Sequence, residues 1–363
     1  MQRRNLGAAA RTGWPVAAPL IPVLVITLLS AVGSAAQQRT VILMLVNVVL
    51  VVGLYIFVGN SGIISFGHVT FMAIGAYVSG LLTIPLITKN AMFPHLPGVI
   101  ADAQLGTVPG TILPALLAGA VALVISIPIM RLAGLAASIA TFALLLIANV
   151  VLGQAGTSTF IGLPLDTTLG SSLGWAVVAV VIAGVFQNSR VGLRLKASRD
   201  DELAARAAGV SVERERRIAF VISAFVVGIG GALYGHLQGA FSPETFYLQA
   251  TFLMVVMLVV GGINSLGGAV IGTVAVSIIL EGLRRIEEGV NLGVVNIPAR
   301  PGLREVGLGI LLLVILNFRP QGILGAREIA WPLRRRRRMP PASDHSDLGT
   351  DPVTGRSATR QEA

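Results

Sequence analysis

Apolar runs close to 20 residues long recur along this chain from near its start to residue 318. An α-helix rising 1.5 Å per residue needs about that length to cross roughly 30 Å of hydrocarbon. Within lipid every backbone N–H and C=O must be satisfied inside the protein, so repeated runs of this kind fold as helices. Charged residues are only 12 % of the sequence and hydrophobic ones 54 %, with a mean hydropathy of +0.81. A soluble domain carries about twice that charged fraction. The 42 glycines suit helices packed closely in a bilayer, where small residues let backbones approach. The expected fold is therefore all-α and polytopic. Cysteine is absent, which excludes disulfides and thiolate metal sites but assigns no compartment.

The runs place ten spans at about 15–36, 40–58, 68–87, 110–130, 134–153, 173–187, 217–238, 249–261, 268–285 and 304–318. Ten crossings put both termini on one side, and the excess of basic residues in cytoplasmic segments chooses which side. Under this topology 21 basic residues are inside, eight of them between Arg190 and Arg217 and nine between Arg319 and Arg360, against six elsewhere. Adding or removing a span before residue 188 would expel one of these basic blocks; merging of the short sixth or eighth span stays open. The expected organisation is a cytoplasmic N-terminus at 1–14, a transmembrane domain at 15–325 with a cytoplasmic loop at 188–216, and a basic, disordered tail at 326–363.

The first span has a second reading. Its basic start, apolar core and Gly33-Ser34-Ala35-Ala36 resemble a secretory signal with a small-residue cleavage site, although the apolar segment is long for one. Cleavage would leave the orientation of the later spans unchanged. The net charge of +10 does not point to nucleic acid, because much of it sits in Arg334–Arg338 and the 190–217 loop, where it anchors topology beside anionic lipid headgroups.

Two interior stretches interrupt the helical pattern. Gly59-Asn60-Ser61-Gly62-Ile63-Ile64-Ser65-Phe66-Gly67-His68 carries glycines and polar side chains near membrane depth, as a broken or re-entrant segment would. Gly261-Gly-Ile-Asn264-Ser265-Leu-Gly267-Gly268 holds a corresponding place in the second half, which suggests an internal repeat. Glycines in tight turns and helix contacts are the plainer account of each. A polar island, Ser198 to Gly209, lies between the sixth and seventh spans. It is expected as one short helix with Ser198 as its cap, Asp200, Asp201 and Glu202 at the positive end of its dipole, a small face of Ala204, Ala205 and Ala208, and Gly209 as its stop.

Several blocks of sequence together resemble the branched-chain amino acid ABC transporter permeases of LivM type. They are Ser65-Phe-Gly-His68 with Gly75-Ala-Tyr77, Gly192-Leu-Arg-Leu, Arg199 to Gly209, Ala219-Phe-Val-Ile-Ser223, Gly228–Tyr234, Ser242-Pro-Glu244-Thr-Phe246, Gly261–Gly267 and Phe318-Arg-Pro320-Gln-Gly322. The resemblance covers roughly 40–325, in order and with gaps, and excludes the tail. It implies an import machine in the bacterial inner membrane, made of this chain, a second homologous permease, two cytoplasmic ATPase subunits and an extracytoplasmic substrate-binding protein. The polar island would be the helix that docks on an ATPase, with Arg199, Asp200, Asp201, Glu202, Ala204, Ala205 and Gly209 as its coupling residues. ATP and Mg²⁺ would bind the partner ATPase and no cofactor this chain. The island is only loosely similar to the coupling loop of other importers, so its role carries over but no single contact does.

The sequence itself holds two lysines, Lys89 and Lys196, and neither lies in a phosphate-cradling Gly-x-x-x-x-Gly-Lys loop. Neither a catalytic triad nor a metal-binding cluster is expected; His68 and His236 read as polar helix packing. Polar groups within spans should face protein or a wet cavity, which singles out Asn47, Asn149 and Glu281, the last alternatively paired with Arg284 or Arg285. The expected translocation path is Asn60, Ser61, Ser65, His68, Asn264, Ser265 and Glu281, and Ser242 and Glu244 are expected to meet the binding protein. Two rivals remain: an importer of the same design for urea, short amides or sugars, and an ion-coupled secondary transporter, which needs buried acids that this chain scarcely offers.

Overall fold

The computed structural model describes residues 17–93, 98–154, 159–288, 290–291, 296–297, 302–319 and 321–325. The segment 1–14, the run Arg334–Arg338 and the tail 326–363 lie outside the described residues. Helices α1 (Leu20–Ala31) and α2 (Ala35–Ser61) form a hairpin, followed by α3 (His68–Thr83), α4 (Leu86–Met92) and the single turn α5 (Gly98–Ala101). Then come α6 (Pro109–Ile129), α7 (Gly134–Gln154), the strand β1 (Phe160–Ile161) and α8 (Leu169–Asn188). The polar region holds α9 (Arg190–Asp200) and α10 (Glu202–Ala207). The remainder is α11 (Val212–Gln238), the strand β2 (Ala240–Phe241), a 3₁₀ turn at Pro243–Phe246, α12 (Leu248–Gly261), α13 (Leu266–Glu287), a two-stranded ribbon of β3 (Val290–Asn291) and β4 (Asn296–Ile297), and α14 (Leu303–Phe318).

Each expected span overlaps a helix, but the expected third span, 68–87, runs through a break and ten crossings are not what the helices show. Seven helical segments among the described residues are long and apolar enough to cross a membrane, and eight if α3 and α4, bent by 117° at Ile84–Pro85, form one broken span. With 12 and 16 residues, α1 and α14 reach only about 18 and 24 Å at 1.5 Å per residue. The Gly33–Ala36 stretch makes the α1–α2 turn: Ser34 N donates to Gln37 Oε1 (2.9 Å) and Gln37 N to Ser34 Oγ (3.4 Å), a reciprocal cap on α2.

Hydrogen bonds sort the loops to two ends. At one, the basic segment 190–211 meets the termini of α2 and α12, and Ile323 N and Leu324 N donate to Val260 O and Gly261 O. At the other, β1 pairs antiparallel with β2, Leu105 N donates to Leu82 O, and Gln249 Nε2 donates to Glu305 Oε1. Buried Lys89 closes the loop after the bend by donating to the carbonyls of Ile100 and Ala103.

The centre of the bundle is α11, packed against α2, α3 and α6. Glycine makes these contacts close. A methyl group at Gly75 of α3 would overlap Gly228 O of α11, and one at Gly231 would overlap Met72 O. The α12–α13 hairpin repeats the device where Gly261 faces Gly268 O. Lipid-facing positions carry large apolar side chains, among them Leu135, Ile139 and Ile147 on α7. Gly231→Ala should therefore destabilise the purified protein by about 1–3 kcal/mol or more, since helix backbones cannot yield as side chains do. Gly282→Ala, which meets open space, should be neutral to slightly stabilising. Thermal midpoints in detergent compare the two, and equal shifts would refute the packing account.

Candidate functional site: a clasp at the basic end and a cavity at the other

The polar island is two helices, not one. Ser198 Oγ donates to Leu195 O (2.8 Å) within the last turn of α9 and caps nothing. The break comes at Asp201, whose backbone is extended (φ −150°, ψ 106°) and whose Oδ1 accepts from Ala204 N at 2.9 Å. Asp201 outcompetes Ser198 because the hydroxyl of a mid-helix serine bonds back to its own helix instead. Gly209, at φ +80°, stops α10 as expected: Gly209 N donates to Arg206 O and Val210 N to Ala205 O, closing the last turn in the left-handed conformation glycine favours.

Charges fasten α10 to the start of α11. The Glu202 carboxylate accepts from Arg206 (2.9 Å) and from the buried Arg216 (2.7 Å), and Arg194 reaches Glu215 at 3.4 Å. The Arg206 hydrogen bond, reinforced by Arg216, holds the Glu202 carboxyl below its usual range against the opposing effect of partial burial. Ala205 packs inward, which corrects the expected small face. The outward face is Leu203, 82 % exposed, with Ala204, Ala207 and Ala208. Arg199 turns the other way: its Nη1 donates to Gly59 O and to Asn264 Oδ1, both at 2.8 Å. One guanidinium thus clasps the end of α2 and the α12–α13 turn to the island.

Between α2, α11, α12, α13 and α14 lies a cavity of about 720 Å³ at the opposite end. Its rim includes Arg39, Ser242, Glu244, Glu281, Arg284 and Glu305, and Asn47, Tyr234 and Ser277 line it deeper. Glu281 is held by Arg284 (2.8 Å) and Arg285 (3.0 Å), the pairing its sequence spacing allowed. Met254 lines both this cavity and a narrow crevice, with no room for water, beside Ser65 and His68.

A family model described as "Branched-chain amino acid transport system / permease component" matches residues 38–316. The chain belongs to this family. The LivM permease protein of the high-affinity branched-chain amino acid transport system of Escherichia coli (strain K12) is 26 % identical over 322 residues, covering 78 % of this chain and 68 % of that protein. The LivH permease protein of Salmonella typhimurium is 29 % identical over 145 residues, 39 % of this chain and 42 % of that one. The autoinducer 2 import system permease protein LsrC of Klebsiella pneumoniae is 34 % identical over 100 residues, 27 % and 29 % of the two chains. No solved structure matches the chain.

Within the permease the expected path residues fall into four places. Asn60 and Ser61 are buried and donate to their own helix, to Ile56 O (2.9 Å) and Phe57 O (2.7 Å). Ser65 and His68 are hydrogen-bonded at 2.7 Å, and the imidazole is packed among Phe57, Phe71 and Phe220. Asn264 takes part in the Arg199 clasp, and Ser265 caps α13 by accepting from Gly268 N (3.1 Å). Of the seven, only Glu281 reaches the cavity, where Ser242 and Glu244 join it. Asn149 lies apart and donates to Pro243 O at 3.5 Å. His236 joins Ser79 (2.9 Å) and Pro164 O (2.9 Å) in helix packing. Sequence reasoning missed Arg39, Gln238 and Tyr234 as cavity residues; their positions near span ends gave no signal without the packing.

Because its carboxyl is depressed, Glu202 contributes to the island's stability above the unfolded value near 4.5, and that contribution is lost as pH falls through the lower folded value. Amide exchange across 202–210 should therefore accelerate as pH is lowered below 4.5, after correction for intrinsic exchange rates. Glu202→Gln should exchange faster at pH 7 and show little of this acid dependence. Identical profiles for the two proteins would exclude Glu202 as the fastening group.

Proposed function

We propose that this chain is the membrane-spanning permease subunit of an ATP-driven importer of branched-chain or related amino acids. The family match over 38–316 carries the reading. In it the basic end faces the cytoplasm, where the 190–217 segment concentrates eight basic residues, and the cavity end faces outward. Ten crossings with both termini inside remain the preferred topology. The course of α14 supports counting it: Glu305 near its start bonds Gln249 near the start of α12, and the chain beyond it bonds Val260 and Gly261 at the end of α12. The match to LivH-type proteins supports pairing with a second, related permease.

Two ATPase subunits, which hold ATP and Mg²⁺, complete the motor. One docks on α10 through Leu203, Ala204, Ala207 and Ala208, with Asp200, Asp201 and Glu202 presenting negative charge beside them. ATP-driven closure of the ATPases moves α10, and the rigid α9–Arg199 unit carries that movement to the ends of α2 and α12. A substrate-binding protein delivers cargo to the outward mouth near Ser242 and Glu244. An ion-coupled mechanism fits less well, because Glu281, the acid it relies on, is already held by two arginines.

The tagged chain, purified from its native host in mild detergent, should bring with it an ATPase and a second permease identifiable by mass spectrometry. Recovery alone, together with transport in proteoliposomes lacking ATP, would overturn the reading. In the reconstituted complex Arg199→Ala should lower uptake at least roughly tenfold while ATP hydrolysis continues, because the loss of charged hydrogen bonds worth about 1.5–3 kcal/mol each breaks transmission rather than docking. Equal loss of uptake and hydrolysis would place Arg199 in the docking surface instead.

A further inference from the structure

Asn47 sits near the middle of α2, twelve residues from the helix start, and its amide faces the cavity with no hydrogen-bond partner among the described residues. Ser277 lies near the middle of α13 and lines the same cavity; its Oγ is shielded from solvent and likewise lacks a partner among the described residues. In a membrane span an unpaired polar side chain is costly, and most such groups in this protein avoid the cost by bonding to their own helix. Thr273 Oγ1, one turn before Ser277, donates to Ala269 O at 2.8 Å, and Asn60 does the same on α2. Asn47 is left facing the void, whereas the Ser277 hydroxyl is closed off from it.

The walls around them are apolar, formed by Leu50, Met72, Leu253, Met254 and Leu280. The mouth carries both signs of charge, and Arg39 and Glu244 belong to no ion pair among the described residues. The volume, about 720 Å³, falls within the ~300–1,000 Å³ typical of ligand sites.

We propose that this cavity is a substrate site of the permease itself, in which Asn47 holds the head group of a zwitterionic amino acid while its aliphatic side chain lies among the apolar walls. The chemistry matches on each side. An asparagine carbonyl accepts from an α-ammonium group, whereas its NH₂ donates to an α-carboxylate. Neutral polar groups suit this depth, because they bind both charges without burying a net charge of their own. Leucine and methionine walls favour branched aliphatic cargo and leave the hydroxyls of a sugar unpaired. Arg39 and Glu244 at the mouth orient the incoming zwitterion. Selection then occurs twice, once in the delivering protein and again here. This rests on the importer reading above.

The test uses the whole transporter complex in lipid nanodiscs, without its binding protein, and measures equilibrium binding of radiolabelled leucine. Saturable binding is expected, displaced by valine and isoleucine but not by a neutral sugar. Asn47→Leu should weaken it by about tenfold or more, as expected for a lost hydrogen bond to a charged group. Asn47→Gln, which keeps the amide, should restore part of the affinity and guards against a folding artefact. Binding that is unchanged in Asn47→Leu overturns the proposal. So does ATP-driven leucine uptake by the wild-type complex with its binding protein when the complex alone shows no saturable binding, an outcome that leaves the importer reading standing. Failure of the wild-type complex to take up any branched-chain amino acid sinks that reading, and the site proposal with it.

Discussion

Close backbone approach around α11 is the constraint on which the rest of the permease depends. In lipid there is little hydrophobic force to drive helices together, so association relies on surfaces that meet without gaps. Gly228 and Gly231 provide one such surface, against Gly75 and the Met72 carbonyl of α3. With α3 fixed there, the irregular stretch 62–67 is held between α2 and α7, and Phe66 N finds an acceptor in Thr141 Oγ1 at 3.3 Å. The broken segment is tolerated where protein covers it, at Ile63, Ser65 and Gly67, while Gly62 and Ile64 stay exposed.

The two functional regions use opposite physical strategies. At the basic end charges are paired: Glu202, Arg206 and Arg216 form a network, and Arg199 spends its donors on a backbone carbonyl and an amide, although Arg216 Nε and Glu215 Oε2 are buried without a partner among the described residues. Such pairing ties α10 to the start of α11, and Arg199 ties α9 to the ends of α2 and α12. In the cavity the opposite holds. Asn47 lines it with no partner among the described residues, and the surrounding leucine and methionine side chains have room to repack.

Much of the architecture was legible because helix in lipid has a simple signature. The positions of all ten apolar helices followed from run length, and the irregular stretches after Gly59 and Gly261 from their glycines. What escaped was geometry that depends on neighbours. Ser198 and Asp201 are both good caps, and only the three-dimensional course of α9 decides that the serine hydroxyl is used up on Leu195 O. Asn60 and Ser61 read as path residues because polarity at membrane depth is costly, yet the Ser61 hydroxyl and the Asn60 NH₂ bond to the preceding turn without any cavity, while Asn60 Oδ1 stays buried without a partner among the described residues. Asn47 carries the same sequence signal and meets the opposite fate, since whether an amide folds back or faces a void is not written in its local sequence.

Met254 has an electrical consequence. A wet cavity open to the outer solution is almost equipotential with it, so the voltage across the membrane does not fall evenly through the protein. With the cavity end outward, the drop is concentrated in the dry stretch between Met254 and the basic end, where the crevice beside Ser65 and His68 holds no water. A full elementary charge moved across that stretch would exchange about 2.3 kcal/mol with the field per 100 mV. A zwitterion carries no net charge through it, and its passage is therefore nearly blind to the membrane voltage.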